Sequence, residues 1–211
     1  MGKAGDELTW RDRGWLPHAE RAGAIYFVTF RLAGSLPAGF LRQLRDDRET
    51  LERRARERPN ALRPDLKRKL DTLDRRRIER ALDAGHGVCR LSTPELAALL
   101  AEALRHFDGQ RYVLGPWCVM PNHVHVLFRP VVPWALGAIM HAWKSYTATR
   151  ANRSLARSGP FWQREYFDRL IRSERELARC ADYILSNPAR AGLRDWRWVG
   201  PENLAGLLSL E

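Results

Sequence analysis

Two imidazoles one residue apart, His123 and His125, sit in the run "VMPNHVHVLF" (Val119 to Phe128), which otherwise has the apolar character of a buried strand. Alternate side chains of a strand share a face, so His123, His125 and Leu127 point one way and Val124, Val126 and Phe128 the other. The apolar set can meet a core. The imidazoles then stand with Cα atoms about 6.5–7 Å apart, close enough for their nitrogens to converge on one divalent metal ion. A pair of surface or hydrogen-bonded histidines has the same spacing, and two ligands do not complete a site. The run "SERELARCADYILSN" offers candidates for a third. At about 100° per residue, Leu177, Ala181, Ile184 and Leu185 form one apolar helical stripe, with Tyr183 and Asn187 together on its shoulder, about 40° and 6 Å apart. A tyrosine there also suits packing at a helix edge, and an asparagine before Pro188 also suits a helix end.

The chain that must position these groups has 211 residues, enough for one domain with a sizeable core. Apolar residues make up 45% and there are 8 Trp, which excludes a wholly disordered protein. The net charge of +11 attracts polyanions before any specific contact forms, with nucleic acid the first candidate and anionic membrane the second. No run of eighteen apolar residues exists, and "MGKAGDELTW" has no apolar signal core, so the sequence reads as cytoplasmic, with no membrane partner. Cys89, Cys118 and Cys180 lack paired spacing and read as reduced packing residues.

"AIYFVTFRL" (Ala24 to Leu32) reads as a core strand ended by "AGSLPAG". Residues 41–82 carry 15 Lys plus Arg against 9 Asp plus Glu, a net +6, with leucines at helical intervals; they read as an insertion of two charged helices joined near "PNALRP". "STPELAALLAEALRHFDG" is a helix with Thr93 as N-cap, Pro94 at its first position and Asp108-Gly109 as its stop. "QRYVLGPWCVM" and "HVHVLFRP" pair as an antiparallel hairpin across "MPN". "WALGAIMHAWKSYTATRAN" is a second helix, "FWQREYFDRLIR" a fourth strand, and the last helix starts at Ser173 or Glu174 and stops at Pro188. The resulting order is the ferredoxin-like or RRM-like α+β arrangement: an antiparallel sheet (strand-helix-strand-strand-helix-strand) with helices on one face, plus a C-terminal tyrosine-bearing helix and the charged insertion.

"PNHVHV" followed by "DYILSN" resembles the HUH single-strand nucleases that use one tyrosine. The wider frame of "YFVTFRL", "WCVMPNHVHVLF", "WKS", "FWQREYFDRLIR" and "YILSNPARAGL" is similar to the REP-associated tyrosine transposases, and spans most of the chain outside the insertion. The resemblance implies that His123 and His125 are paired metal ligands, Asn187 a polar third ligand and Tyr183 the nucleophile. It also implies Mg²⁺ or Mn²⁺ as cofactor, single-stranded or hairpin DNA as partner, a nucleoid-associated location, and a monomer or homodimer. The expected reaction is metal-dependent cleavage and strand transfer at or near hairpin-forming repeats, through a 5′-phosphotyrosine.

Four tyrosines compete with Tyr183. Tyr26 and Tyr112 lie in strand runs, Tyr166 opens the expected fourth strand, and Tyr146 is the main rival because Lys144 precedes it by two residues. Lys144 is a candidate phosphate contact, or a solvated helix lysine. Arg53, Arg54, Arg75, Arg76 and Arg77 could follow a DNA backbone, or lace a solvated helical hairpin through Glu–Arg pairs. Trp15, Trp162, Trp196 and Trp198 could stack on unpaired bases, or simply pack. Three functions are compatible with these residues: the catalyst, a non-catalytic binder of DNA or RNA hairpins, and a hydrolase of small phosphates, which leaves the +11 unexplained.

Overall fold

The computed structural model describes residues 9–12, 17–56, 63–200 and 203–209. The chain divides into two compact units, Met1–Ala33 with Arg90–Glu211, and Gly34–Cys89 between them. Strands are β1 (Thr9–Asp12), β2 (Pro17–Glu20), β3 (Tyr26–Arg31), β4 (Tyr112–Val119), β5 (His123–Pro130), β6 (Phe167–Leu170) and β7 (Val199–Gly200). Helices are α1 (Ala38–Arg56), α2 (Arg63–Asp83), α3 (Pro94–Arg105), α4 (Leu136–Ser154), α5 (Glu174–Arg190) and α6 (Leu204–Leu208). Among the described residues no helix is long and apolar enough to cross a membrane.

In the larger unit the main sheet runs β6-β3-β5-β4-β7, antiparallel throughout. Its first four members have the ferredoxin-like order, last-first-third-second, around the central pair β3 and β5. β1 and β2 form a separate hairpin. The pairing register sorts side chains by face, because residues directly opposite in an antiparallel ladder project the same way. Tyr26, Val28 and Phe30 stand opposite Phe128, Val126 and Val124, giving one apolar face. Trp143 of α4 seats there, its ring 4.8 Å from Phe128 and 5.0 Å from Tyr112. Phe27, Thr29 and Arg31 stand opposite Leu127, His125 and His123 on the other face. There α5 brings Leu177, Ala181 and Ile184 against Phe27, Cys118 and Leu127. The sheet is therefore covered by helix on both sides, and the histidine face belongs to α5.

Local signals explain where α5 begins. Ser173 is its N-cap, with Oγ accepting from Glu176 N at 3.2 Å, while Glu176 Oε2 accepts from Arg172 N at 3.0 Å, so two otherwise orphaned donors are met reciprocally. Two details of this helix correct the sequence reading. It does not stop at Pro188 but runs to Arg190; proline costs a helix one hydrogen bond, and burial of Ile184, Asn187 and Pro188 against the sheet offsets that cost. Gly192, at φ +73, then provides the left-handed exit. Leu185, assigned by helical angle to the apolar stripe, is 38% exposed, because the buried stripe is rotated towards Asn187.

The fourth strand is shorter than expected, Phe167–Leu170, and upstream of it only Trp162 bridges the sheet, through Leu32. β1, β2, β7 and α6 carried no sequence signal that was read. In the smaller unit, α1 and α2 realise the two charged helices, within boundaries wider than 41–82; the joint at 57–62 and Trp15 lie outside the described residues. Arg48 of α1 reaches Glu52 at 3.0 Å, Asp71 at 2.8 Å and Asp74 at 3.0 Å, and Arg77 reaches Asp47 at 2.7 Å. These are Glu–Arg and Asp–Arg pairs lacing a helical pair.

The buried stripe yields a stability test. Ile184→Ala removes a fully buried side chain and is expected to cost about 2–4 kcal/mol in urea unfolding, while Leu185→Ala on the opposite shoulder stays within about 0.5 kcal/mol. Equal losses at the two positions would contradict this orientation of α5.

Candidate active site

β5 presents His123 and His125 on the α5 side of the sheet, and the two rings meet. Their Nε2 atoms are 2.9 Å apart and the ring centroids 4.5 Å apart. The outer nitrogens are held by neighbours: His123 Nδ1–H donates to Asn122 Oδ1 at 2.6 Å, and His125 Nδ1 lies 2.7 Å from Thr29 Oγ1. An amide oxygen only accepts, so the first bond leaves His123 Nε2 with its lone pair. As the rings stand, that lone pair accepts from His125 Nε2–H, and Thr29 donates to His125 Nδ1. A hydroxyl can also accept, so Thr29 can support the alternative tautomer in which both Nε2 lone pairs point to the same place.

Burial favours neutral rings. Both histidines are essentially inaccessible, and desolvation lowers the His123 pKa from 6.5 to about 3. His125 is likewise pushed well below its usual range by burial, then by the nearby His123. Neutral imidazoles are the form that ligates metal.

α5 places Tyr183 over this pair, with Asn187 one turn further along the same helix. The Tyr183 ring centroid lies 5.2 Å from that of His125 and 6.1 Å from Phe27, with the Arg190 guanidinium 5.2 Å from the Tyr183 ring. Asn187 is 1% exposed, and neither its oxygen nor its nitrogen has a hydrogen-bond partner among the described residues. A buried primary amide left in that state costs free energy and is rare in native folds, which makes it a site awaiting a partner. Tyrosine and both imidazoles thus meet within a single chain, with the buried amide one helical turn beyond the tyrosine.

The donors fit a divalent ion. Two nitrogens bound cis at about 2.1 Å to an octahedral ion stand about 3 Å apart, matching the observed 2.9 Å between the Nε2 atoms. The third donor would be the amide oxygen of Asn187, since no group of three His, Cys, Asp or Glu gathers anywhere among the described residues.

Two other expected residues, Lys144 and Tyr146, are not brought here. Lys144 and Tyr146 ride on α4, which covers the opposite face of the sheet. Lys144 Nζ donates to the carbonyls of Gln163 at 2.8 Å and Arg164 at 2.7 Å, tying α4 to the segment before β6; burial, partly opposed by Glu165, lowers its pKa to about 8. Arg53, Arg54, Arg75, Arg76 and Arg77 belong to the smaller unit, where Arg75 lies 3.8 Å from Glu79 and Arg77 pairs with Asp47. Trp162 is buried, with Nε1 donating to Thr147 Oγ1 at 3.0 Å, and Trp196 Nε1 donates to Val119 O at 2.8 Å, so both are tied into the fold. The sequence reading missed Thr29, Asn122, Arg31 and Arg190. All four lie inside quoted motifs, and the alternation of β3 against β5 was the signal that could have found Thr29 and Arg31.

The buried rings make stability depend on pH. Folded pKa values below the unfolded 6.5 mean that the unfolded chain takes up protons first, so stability is full above pH 6.5 and falls as pH drops towards 3. His123 alone is expected to remove about 2 kcal/mol between pH 7.5 and pH 5. Urea unfolding at the two pH values should show a drop clearly larger in wild type than in His123→Gln; equal drops would refute buried neutral imidazoles.

A family model described as "Transposase IS200 like" matches residues 92–187, a span that includes His123, His125, Tyr183 and Asn187. A Haemophilus influenzae protein named "Putative REP-associated tyrosine transposase" is 31% identical over 93 residues, covering 37% of this chain and 53% of that protein, so the chain spans about half the length of this curated relative. The solved structure of a REP-associated tyrosine transposase bound to a REP hairpin superposes with a TM-score of 0.50, over 91% of this chain and 82% of that one, at 15% identity. In sequence the chain resembles the REP-associated tyrosine transposases, and it has their α+β fold.

Proposed function

We propose that the protein is a metal-dependent single-strand DNA endonuclease and strand transferase, acting at or near hairpin-forming repeats through Tyr183. The observation that carries this reading is the buried, partnerless Asn187 amide on the helix that also holds Tyr183 5.2 Å from His125, ring to ring. A pure binder has no use for that gathering. The relatives named above, one of them bound to a REP hairpin, support hairpin DNA as substrate.

His123, His125 and Asn187 would hold Mg²⁺ or Mn²⁺, and imidazole donors suit Mn²⁺ better. Bound there, such an ion polarises and orients the scissile phosphate. The Tyr183 oxygen gives up its proton and attacks phosphorus in line; the bond from phosphorus to the 3′ oxygen breaks, and that oxygen takes a proton to leave as a 3′-hydroxyl. The 5′-phosphotyrosine keeps the energy of the broken phosphodiester, so a 3′-hydroxyl can attack back and rejoin strands without ATP. Arg190, over the Tyr183 ring, places positive charge beside the attacking group. Arg31 lies across the ladder from His123 on the same face of the sheet, where burial lowers its pKa, and is a candidate phosphate contact. In this reading the active site is assembled within one chain, which suits a monomer or a homodimer.

Labelled oligonucleotides with Mn²⁺ test the assignment. Wild type and Tyr146→Phe should form a covalent protein–DNA adduct, and Tyr183→Phe none; an adduct that survives in Tyr183→Phe overturns the nucleophile. His123→Ala with His125→Ala should abolish the adduct while leaving DNA binding; intact activity in that double variant would favour a non-catalytic binder. Thr29→Val should weaken Mn²⁺ binding about 10- to 100-fold through loss of its bond to His125.

A further inference from the structure

On the other side of the sheet, α3 and α4 enclose a hollow of about 440 Å³ whose walls are largely aromatic. Its floor offers no unpaired donor: Trp143 Nε1–H donates to Tyr112 Oη at 3.1 Å, and that hydroxyl donates to Leu104 O at 2.8 Å. At the rim stand two large rings exposed to solvent, Trp134 (38%) and Tyr146 (50%). Trp134 also lines a second, smaller hollow beside Arg21, so it forms the ridge between two depressions.

Between the rings the rim carries Arg111, with Glu102 and His106 also lining the hollow. The Arg111 guanidinium lies 3.5 Å from the centroid of Phe107 and 4.3 Å from that of Trp134, and makes no ion pair with a described residue. Stacking fixes the plane of a guanidinium while leaving its in-plane N–H groups to reach an anion. Arg150 stands 6.0 Å from the Tyr146 ring on the other side. Exposed aromatic rings interleaved with preorganised arginines, in a chain of net charge +11, match unpaired nucleotides: flat faces for the bases and guanidinium edges for the phosphates. A hollow of this volume falls within the range that holds small ligands and accommodates one base with its sugar.

We propose that this hollow is a binding site for an unpaired nucleotide of the DNA strand, its base stacked on Trp134 and Tyr146 and its phosphates met by Arg111 and Arg150. The site deepens the DNA-cleavage reading and rests on it, yet lies on the face of the sheet away from the histidines, so holding the strand and cutting it are separable. Because the Trp143 and Tyr112 donors of its floor are already engaged, the base is held chiefly by stacking.

Fluorescence anisotropy of a labelled single-stranded oligonucleotide, in EDTA to prevent cleavage, tests it. Trp134→Ala and Tyr146→Ala are each expected to weaken binding about tenfold or more, and Trp134→Phe to retain most of it. Abasic substitutions walked along the oligonucleotide should reproduce the loss on wild type at one position and add nothing on Trp134→Ala. Adduct formation at saturating DNA should be unchanged in both variants, and circular dichroism melting should stay near wild type, because both rings are at the surface. Wild-type affinity in the two alanine variants overturns the nucleotide site while leaving the DNA reading intact. Wild type that binds no single strand at all overturns both.

Discussion

The packing of α5 onto one face of the sheet is the constraint on which the candidate site depends. Leu177, Ala181 and Ile184 are buried against Phe27, Cys118 and Leu127, and at about 25 cal/mol per Å² such burial holds a helix far more firmly than any single polar contact beneath it. Because Tyr183 and Asn187 sit next to that stripe, apolar burial sets the position of the polar groups. The histidines need no metal to be prepositioned: Asn122 and Thr29 fix their outer nitrogens, and the β3–β5 register fixes their separation.

The same burial sets the electrostatics. Desolvation keeps both imidazoles neutral, the form that can ligate a metal, and also lowers the pKa of Arg31 across the ladder. It also closes the door. His123, His125 and Asn187 are all nearly inaccessible, so a phosphate can reach them only if something covering them shifts. The partly buried Tyr183 ring, edge-on to His125, is one of the groups packed against the pair.

Much of this was legible in the sequence, and the reason is periodicity. The two-residue alternation of "HVHVLF" gave both the strand and the shared face of the histidines, and the helical angle put Tyr183 beside Asn187. The angle alone did not orient the helix: Leu185 is as apolar as Ile184, and only the sheet decides which shoulder is buried. Pro188 misled because proline's cost is local, whereas the burial that outweighs it is tertiary. Thr29 and Asn122 stayed unread since their roles arise from pairing across β3–β5 and from a turn, and neither leaves a one-dimensional pattern. β1, β2 and β7 span only four, four and two residues, too few for any period to show.

The charge resisted reading for a related cause. Composition located +6 of the +11 in residues 41–82, yet in the folded unit Arg48, Arg75 and Arg77 already have carboxylates within 4 Å. An arginine paired in this way offers less to a phosphate than one stacked between rings, because meeting the new anion means giving up the old one. Outside the basic segment, Arg190 lies beside an aromatic ring on the histidine side and Arg111 and Arg150 beside rings on the other. Net charge belongs to the whole sequence, whereas what each guanidinium can reach is set by the carboxylates and rings that the fold puts beside it.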